Sequence, residues 1–328
     1  MEGEIGRGAM IPRHSLKKLT SRTDVNYDCR NVKRSDLMLF CFILFSAVAI
    51  WMAYSPLRDL LRNTKQPEYY SHVPLVPLIS AYFIFRKRKE IFLRSDSFWF
   101  PGLSIMAAGT LLFFIGRVWR LNANDYASIA ALSALIFESG SLIFLFGKEA
   151  LRRAYFALAF LIFAIPVPSV LMERIIAALV AASTSVTHFL FKMIGVPFLQ
   201  EGSVFHLPDL SLEVSQECSG IRSSLALLIT TILAGHLFLG KFQDKAILAL
   251  AVFPVAVFKN GVRIVSLYLL SYFIDMRFIE GSFHHRFGGS VFFGLGLVLM
   301  GFLLWLLRRS ERPRSEEAGR NARRPDAI

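Results

Sequence analysis

Cysteine is scarce in this chain. Cys29, Cys41 and Cys218 are the only three among 328 residues, and their spacing makes neither a disulfide framework nor a paired metal site. Charge is thin as well: Asp, Glu, Lys and Arg make up 19% of the residues, against about a quarter in soluble domains. With a mean hydropathy of +0.50, that excludes an ordinary soluble globular protein. The apolar runs are continuous rather than alternating, which excludes a β-barrel. No internal repeat is visible. No cleavable signal peptide is expected either, because about 35 polar, basic residues precede the first apolar run. The net charge of +13 does not imply nucleic acid, since excess Lys and Arg in a membrane protein mark cytoplasmic loops.

What is present is a series of apolar segments. A helical span needs about 20 mostly apolar residues, and the sequence predicts eight, at 37–54, 72–86, 98–116, 126–147, 153–168, 219–239, 245–273 and 289–307. The segment 170–196 has helical periodicity but carries Glu173, Arg174, His188, Lys192 and the polar run Ser183 to Ser185. It is expected to be an interfacial or re-entrant helix. The fold class is therefore all-α, a polytopic membrane bundle of about eight helices plus that one. Residues 1–36 and 308–328 are charged and read as disordered cytosolic ends flanking a membrane domain at 37–307.

Charge sets an orientation. With the N-terminus inside, the cytoplasmic pieces hold 25 of the 37 Lys and Arg residues and the outer pieces hold seven, as the positive-inside rule requires. The outer segment 197–217 has none. A full span at 170–196 would move Cys218 to the cytoplasm unless another span were lost.

Under this orientation Cys218, Arg263, His284, His285 and the stretch Tyr69 to Pro77 share the outer face. These residue types suit nucleophilic acyl transfer. A thiolate attacks a carbonyl, an imidazole moves the proton, and a fixed cation stabilises the oxyanion. Cys218 opens a helix and Arg222 follows one turn later, and both favour the thiolate. Arg263 cannot lose its proton and offers several donors. Lys259 and Asn260 lie on nearly the same helical face as Arg263. Each residue also has a plainer reading: a cysteine as a small packing residue, an arginine reaching for headgroups, histidines in a loop. Spacing alone leaves packing residue and nucleophile both open. Glu138, mid-span beside Ser139 and Gly140, is expected to make a helix contact. No His/Cys/Asp/Glu set has zinc spacing, so neither metal nor cofactor is expected.

The stretch ECSGIRSS, with Cys218 and Arg222, resembles the Cys-Ser-Gly-hydrophobic-Arg-Ser signature of the exosortase/archaeosortase family, which are polytopic membrane cysteine transpeptidases. KNGVRIVSLYLL resembles that family's arginine-bearing helix. HRFGGSVFF resembles its His-x-x-x-Gly segment, YYSHVPLVPLIS its early Ser-His motif, and FLIFAIPVP its Pro-x-Pro element. The likeness runs from about Leu37 to Leu307. It departs from the family at Val73, where glycine is common, and at Ser290, where tryptophan is common.

The resemblance implies Cys218 as nucleophile, Arg263 as essential arginine and His285 as catalytic histidine, the count to Gly289, Phe292 and Phe293 favouring His285 over His284. Arg222, His72, Asn260 and His284 become supporting or substrate-binding residues. It further implies exported protein substrates with a C-terminal motif, a transmembrane helix and a basic tail, of the PEP-CTERM kind. These would be cut on the outer face of a bacterial inner membrane, held as a thioester and passed to an unknown acceptor. An association with exopolysaccharide systems follows from the same likeness. The rival reading is a transport or scaffold component of polysaccharide export, with Arg263, Lys259 and Glu138 along a path for an anion. The partners expected are such substrates and the lipid bilayer, not nucleic acid.

Overall fold

The structure, a computed structural model, describes residues 16–63, 70–92, 98–208, 210–214, 220–273 and 289–321. They form helices α1 (Leu16–Asn63), α2 (Leu75–Arg86), α3 (Arg88–Phe92), α4 (Trp99–Val118), α5 (Ala123–Phe160), α6 (Ser169–Ile194), α7 (Ile221–Phe238), α8 (Phe242–Phe273) and α9 (Gly289–Asn321). A 3-10 turn, Leu161–Ala164, follows α5, and three short strands lie between α6 and α7. Among the described residues, seven helices are long and apolar enough to cross a membrane, and the 12-residue α2 is a shorter apolar helix. The chain divides into two compact units. One holds Met1–Thr64 and Val73–Pro166, the other Lys65–His72 and Val167–Ile328.

In the first unit, α4 and α5 form an antiparallel hairpin. Asn122 caps α5 by accepting a hydrogen bond from the Asp125 backbone N–H at 2.8 Å, which supplies one of the donors a helix start leaves unsatisfied. Glycines at every seventh position of α4 let the two backbones touch. A Cβ added at Gly102 would lie 2.5 Å from Phe144 Cα, one at Gly109 2.8 Å from Phe137 N, and one at Gly116 2.6 Å from Ile129 Cγ2. Small residues of this kind drive helix association in lipid, where no hydrophobic effect separates tails from side chains. Helix α1 packs on α5 through Phe42 and Phe146, whose rings meet edge to face at 5.9 Å. The Ser46 hydroxyl also donates to Glu138 Oε1 at 2.8 Å, so Glu138 makes the helix contact expected of it.

Two apolar segments test the sequence expectation, one agreeing with it and one not. The segments predicted as separate spans, 126–147 and 153–168, follow one another in α5 and part at a kink beside the expected boundary, at Gly147, whose φ of 83° and ψ of −178° lie outside the helical region. Only glycine enters that region without strain. The segment expected to be interfacial or re-entrant is an unbroken 26-residue helix, α6, of spanning length. Its charges lie towards its ends, Glu173 and Arg174 at the start and Lys192 at the finish. Its polar residues Ser183, Thr184 and Thr187 are buried, so they are kept from lipid by packing rather than by leaving the membrane.

In the second unit α8 is central. Helix α6 runs parallel to it, because Ser183 meets Asn260 while Phe191 meets Tyr268 further along. Helices α7 and α9 run antiparallel: Ser223 meets Lys259 and Gly235 lies against Leu248, while Gly296 lies against Lys259 and Met300 packs with Val252. At one end, the Glu311 carboxylate accepts the backbone N–H groups of Gly240 and Lys241 at 3.0 and 2.9 Å, closing the start of α8. At the other end sits an antiparallel sheet, β1 (Leu199–Glu201), β2 (Val204–His206) and β3 (Ser211–Glu213), in that order. Phe205 is fully buried and packs with Leu190, Phe191, Ile264 and Tyr268, so the sheet rests on α6 and α8.

Candidate active site

The most informative local sequence is the start of α7. Gly220 precedes it in the left-handed conformation, φ 69° and ψ 15°, which costs an L-residue with a side chain about 1–2 kcal/mol. Its carbonyl accepts three hydrogen bonds, from the Ser224 backbone N–H at 2.9 Å, the Ser224 hydroxyl at 2.8 Å and the Ser223 hydroxyl at 3.0 Å. A Cβ on Gly220 would lie 3.1 Å from Asn260 Oδ1. Both backbone shape and close approach therefore require glycine here, and the turn is seated directly on α8.

Helix α8 meets that turn with consecutive buried polar residues. Lys259, 2% exposed, donates from Nζ to Ser223 Oγ. Asn260, equally buried, donates from Nδ2 to Ser183 Oγ on α6 at 3.0 Å. Gly261 lets α6 come close, since a Cβ there would lie 2.6 Å from Val186 Cγ1. Arg263 is half-buried. At about 100° per residue it falls between Lys259 and Asn260 on the helical wheel. Ser183, Asn260, Lys259 and Ser223 thus bind α6, α8 and α7 together one turn below Arg263.

Among the predicted site residues, Asn260 and Arg263 share this face of α8. Arg222 is exposed at the second position of α7, and His72 is half-buried in the turn before α2. Cys218, His284 and His285 lie outside the described residues. Sequence reasoning missed Gly220, Ser223 and Ser183 as parts of the site. The first two stand inside ECSGIRSS. Ser183 stands in the small polar run of α6, where the signal was a polar residue with no reason to face lipid. The strands at 199–213 were also missed, having been read only as outer loop.

The family model described as Transmembrane exosortase (Exosortase_EpsH) matches residues 62–302. No curated protein and no solved structure matches the chain.

Proposed function

This chain belongs to the transmembrane exosortase family, and on that premise we propose that it is a membrane cysteine protease-transpeptidase whose nucleophile is Cys218. One observation carries the reading: Gly220, two residues after Cys218, sits against Asn260 on the helix face that bears Arg263. Two residues of chain span at most about 7 Å, so the proposed nucleophile is within chain reach of that face.

The chemistry follows from the residue types. The Cys218 thiolate adds to the scissile carbonyl of a substrate bearing a C-terminal sorting signal, and the Arg263 guanidinium faces the oxyanion that forms. Collapse of this intermediate breaks the C–N bond, and the imidazolium of His285 gives its proton to the departing amine. The product is a thioester on Cys218. An acceptor nucleophile then adds to the thioester, His285 takes up its proton, and the thiolate leaves. His284, Arg222, His72 and Asn260 support or bind substrate. No metal or cofactor enters these steps.

Charge supports an extracytoplasmic site. At the sheet end of the second unit, residues 195–220 contain no Lys or Arg. The opposite end carries Lys241, Lys245, Arg308, Arg309, Arg312 and Arg314. The positive-inside rule assigns that basic end to the cytoplasm.

The test is co-expression with an exported reporter ending in a motif, an apolar helix and a basic tail, taken from a genome that encodes such proteins. Wild type is expected to remove the tail. Cys218→Ala, Arg263→Ala and His285→Ala are expected to leave it in place. Tail removal by the Cys218→Ala variant would sink the proposal.

A further inference from the structure

We infer that strand β3 is the docking edge for the substrate: the extended segment around the cleavage point adds to it as a fourth strand. The inference rests on the function proposed above.

The hydrogen-bond pattern determines which way β3 faces. The Val214 N–H donates to Ser203 O and the Leu207 N–H to Leu210 O, both at 2.9 Å, and Phe205 stands opposite Leu212 in the register. In an antiparallel ladder bonded pairs recur at every second residue, so 203/214, 205/212 and 207/210 are the bonded pairs. Ser211 and Glu213 therefore turn their N–H and C=O groups away from β2. No described residue bonds those four groups. They form two donor-acceptor sets about 7 Å apart along the strand, which is the spacing an extended polypeptide backbone matches.

The two edges of the sheet are not equivalent. At β1, Gln200 is tied to its surroundings: Oε1 lies 2.6 Å from His188 Nδ1 on α6, and Nε2 donates to Gly202 O at 2.9 Å. At β3, Ser211 and Glu213 are exposed, while Leu212 turns inward among the residues packed on α6 and α8. Among the described residues the strand is thus anchored through its inner face and its β2 side. Open edges of this sort are a hazard that proteins usually blunt with bulges, proline or covering segments. Here the edge leads directly into the segment that carries Cys218, with Val214 buried at its end. A protease must hold the chain it cuts in an extended form, and strand addition does so through the backbone. The occupant is accordingly a peptide whose N–H groups at two alternate positions are free to donate, with no such demand on the residue between them.

The experiment starts from the processed reporter, whose cut site is mapped. A synthetic peptide of the ten residues around that cut is N-methylated at one position at a time and offered to the full-length enzyme in detergent. Loss of one hydrogen bond to the edge is expected to lower kcat/KM by about 10-fold. That loss is expected at two positions two residues apart, with the position between them spared. On the enzyme, Glu213→Pro removes an outward N–H but no ladder bond, as an edge strand tolerates. It is expected to raise KM by about 10-fold with kcat unchanged, while Glu213→Gln, which keeps the N–H, retains the wild-type KM. A flat N-methyl profile, or an unchanged KM for Glu213→Pro, overturns the inference and leaves the proposed function standing. A dimer in detergent that Glu213→Pro converts to monomer also overturns it, because the edge would then serve a second copy of the chain. A reporter that is never processed overturns the proposed function, and the inference with it.

Discussion

Asn260 on α8 and Gly220 before α7 meet so closely that a single added methyl group on the glycine would lie 3.1 Å from the asparagine Oδ1. Asn260 is held on its other side by Ser183, 77 positions earlier in the chain. The start of α7 is therefore seated against a pair of helices.

Gly220→Ala is expected to meet two penalties, the left-handed backbone and the asparagine. Gly195 provides the comparison: its φ is 79°, but a Cβ there meets nothing within 4 Å. Both variants should lose about 1–2 kcal/mol of stability from backbone strain. Only Gly220→Ala should also lose reporter processing, by more than about 10-fold, because about 1.4 kcal/mol at the site is enough for that. Thermal unfolding in detergent and the processing assay separate the two effects. Equal activity in the two variants would mean that the contact with Asn260 does not position the start of α7 for activity.

Ser183→Ala takes the acceptor from a buried amide and should cost about 1–3 kcal/mol. A double-mutant cycle with Asn260→Ala is the check: since the residues bond directly, the two losses should fall short of additivity by roughly 1 kcal/mol. Strict additivity would mean that the hydrogen bond contributes nothing to stability.

These two residues also show where sequence reading reaches its limit. Long apolar runs declare themselves because a bilayer demands about 20 apolar residues, so the all-helical membrane fold was legible. Asn260 and Arg263 were legible as polar residues inside such a run. Ser183 was not. A small polar residue in a helix points to packing only once its partner is known, and the same run made α6 look unsuited to spanning. The break in α5 was legible: the charges at Lys148 to Arg153 marked a boundary, and Gly147 kinks the chain beside it. The sheet escaped because strands of three residues are too short to display a period of two. Cys218 and His285 remain expectations from the family signature.

Lys259 and Ser223 make an asymmetric pair. Ser223→Ala leaves a buried ammonium with one acceptor fewer, whereas Lys259→Met removes the charge and keeps most of the volume. Stranding a buried charge costs more than deleting it, so Ser223→Ala should unfold at the lower temperature. Lys259→Met also removes a like charge one turn from Arg263, which works in the same direction. Unfolding midpoints measured in one detergent decide the order, and the reverse order would mean that the ammonium has another acceptor.

The α4–α5 hairpin predicts a third kind of failure. Gly109→Leu forces a side chain into a site where even a Cβ lies 2.8 Å from Phe137 N and 2.9 Å from Ser133 O. The backbones must separate, at a cost of about 1–3 kcal/mol or more. Gly301→Leu on α9 introduces the same side chain where a Cβ meets nothing within 4 Å, and should be neutral. The yield of monodisperse protein after extraction reports both. Loss of yield in Gly301→Leu as well would point to a partner on that face of α9.

The charge distribution predicts which end of the second unit faces out. In a background with all three cysteines replaced, Glu201→Cys on β1 and Ser310→Cys beyond the apolar part of α9 place thiols at exposed positions at opposite ends. Because α6 and α8 are parallel and α7 and α9 run against them, these ends cannot exchange sides without inverting the whole unit. An impermeant maleimide applied to intact spheroplasts should label position 201 and spare position 310 until the membrane is opened. Inverted vesicles should give the opposite result. Labelling of 310 from outside would put the basic Arg308 to Arg314 segment on the wrong side of the membrane. The proposed active site would then face the cytoplasm, on the wrong side for the exported substrates proposed for it.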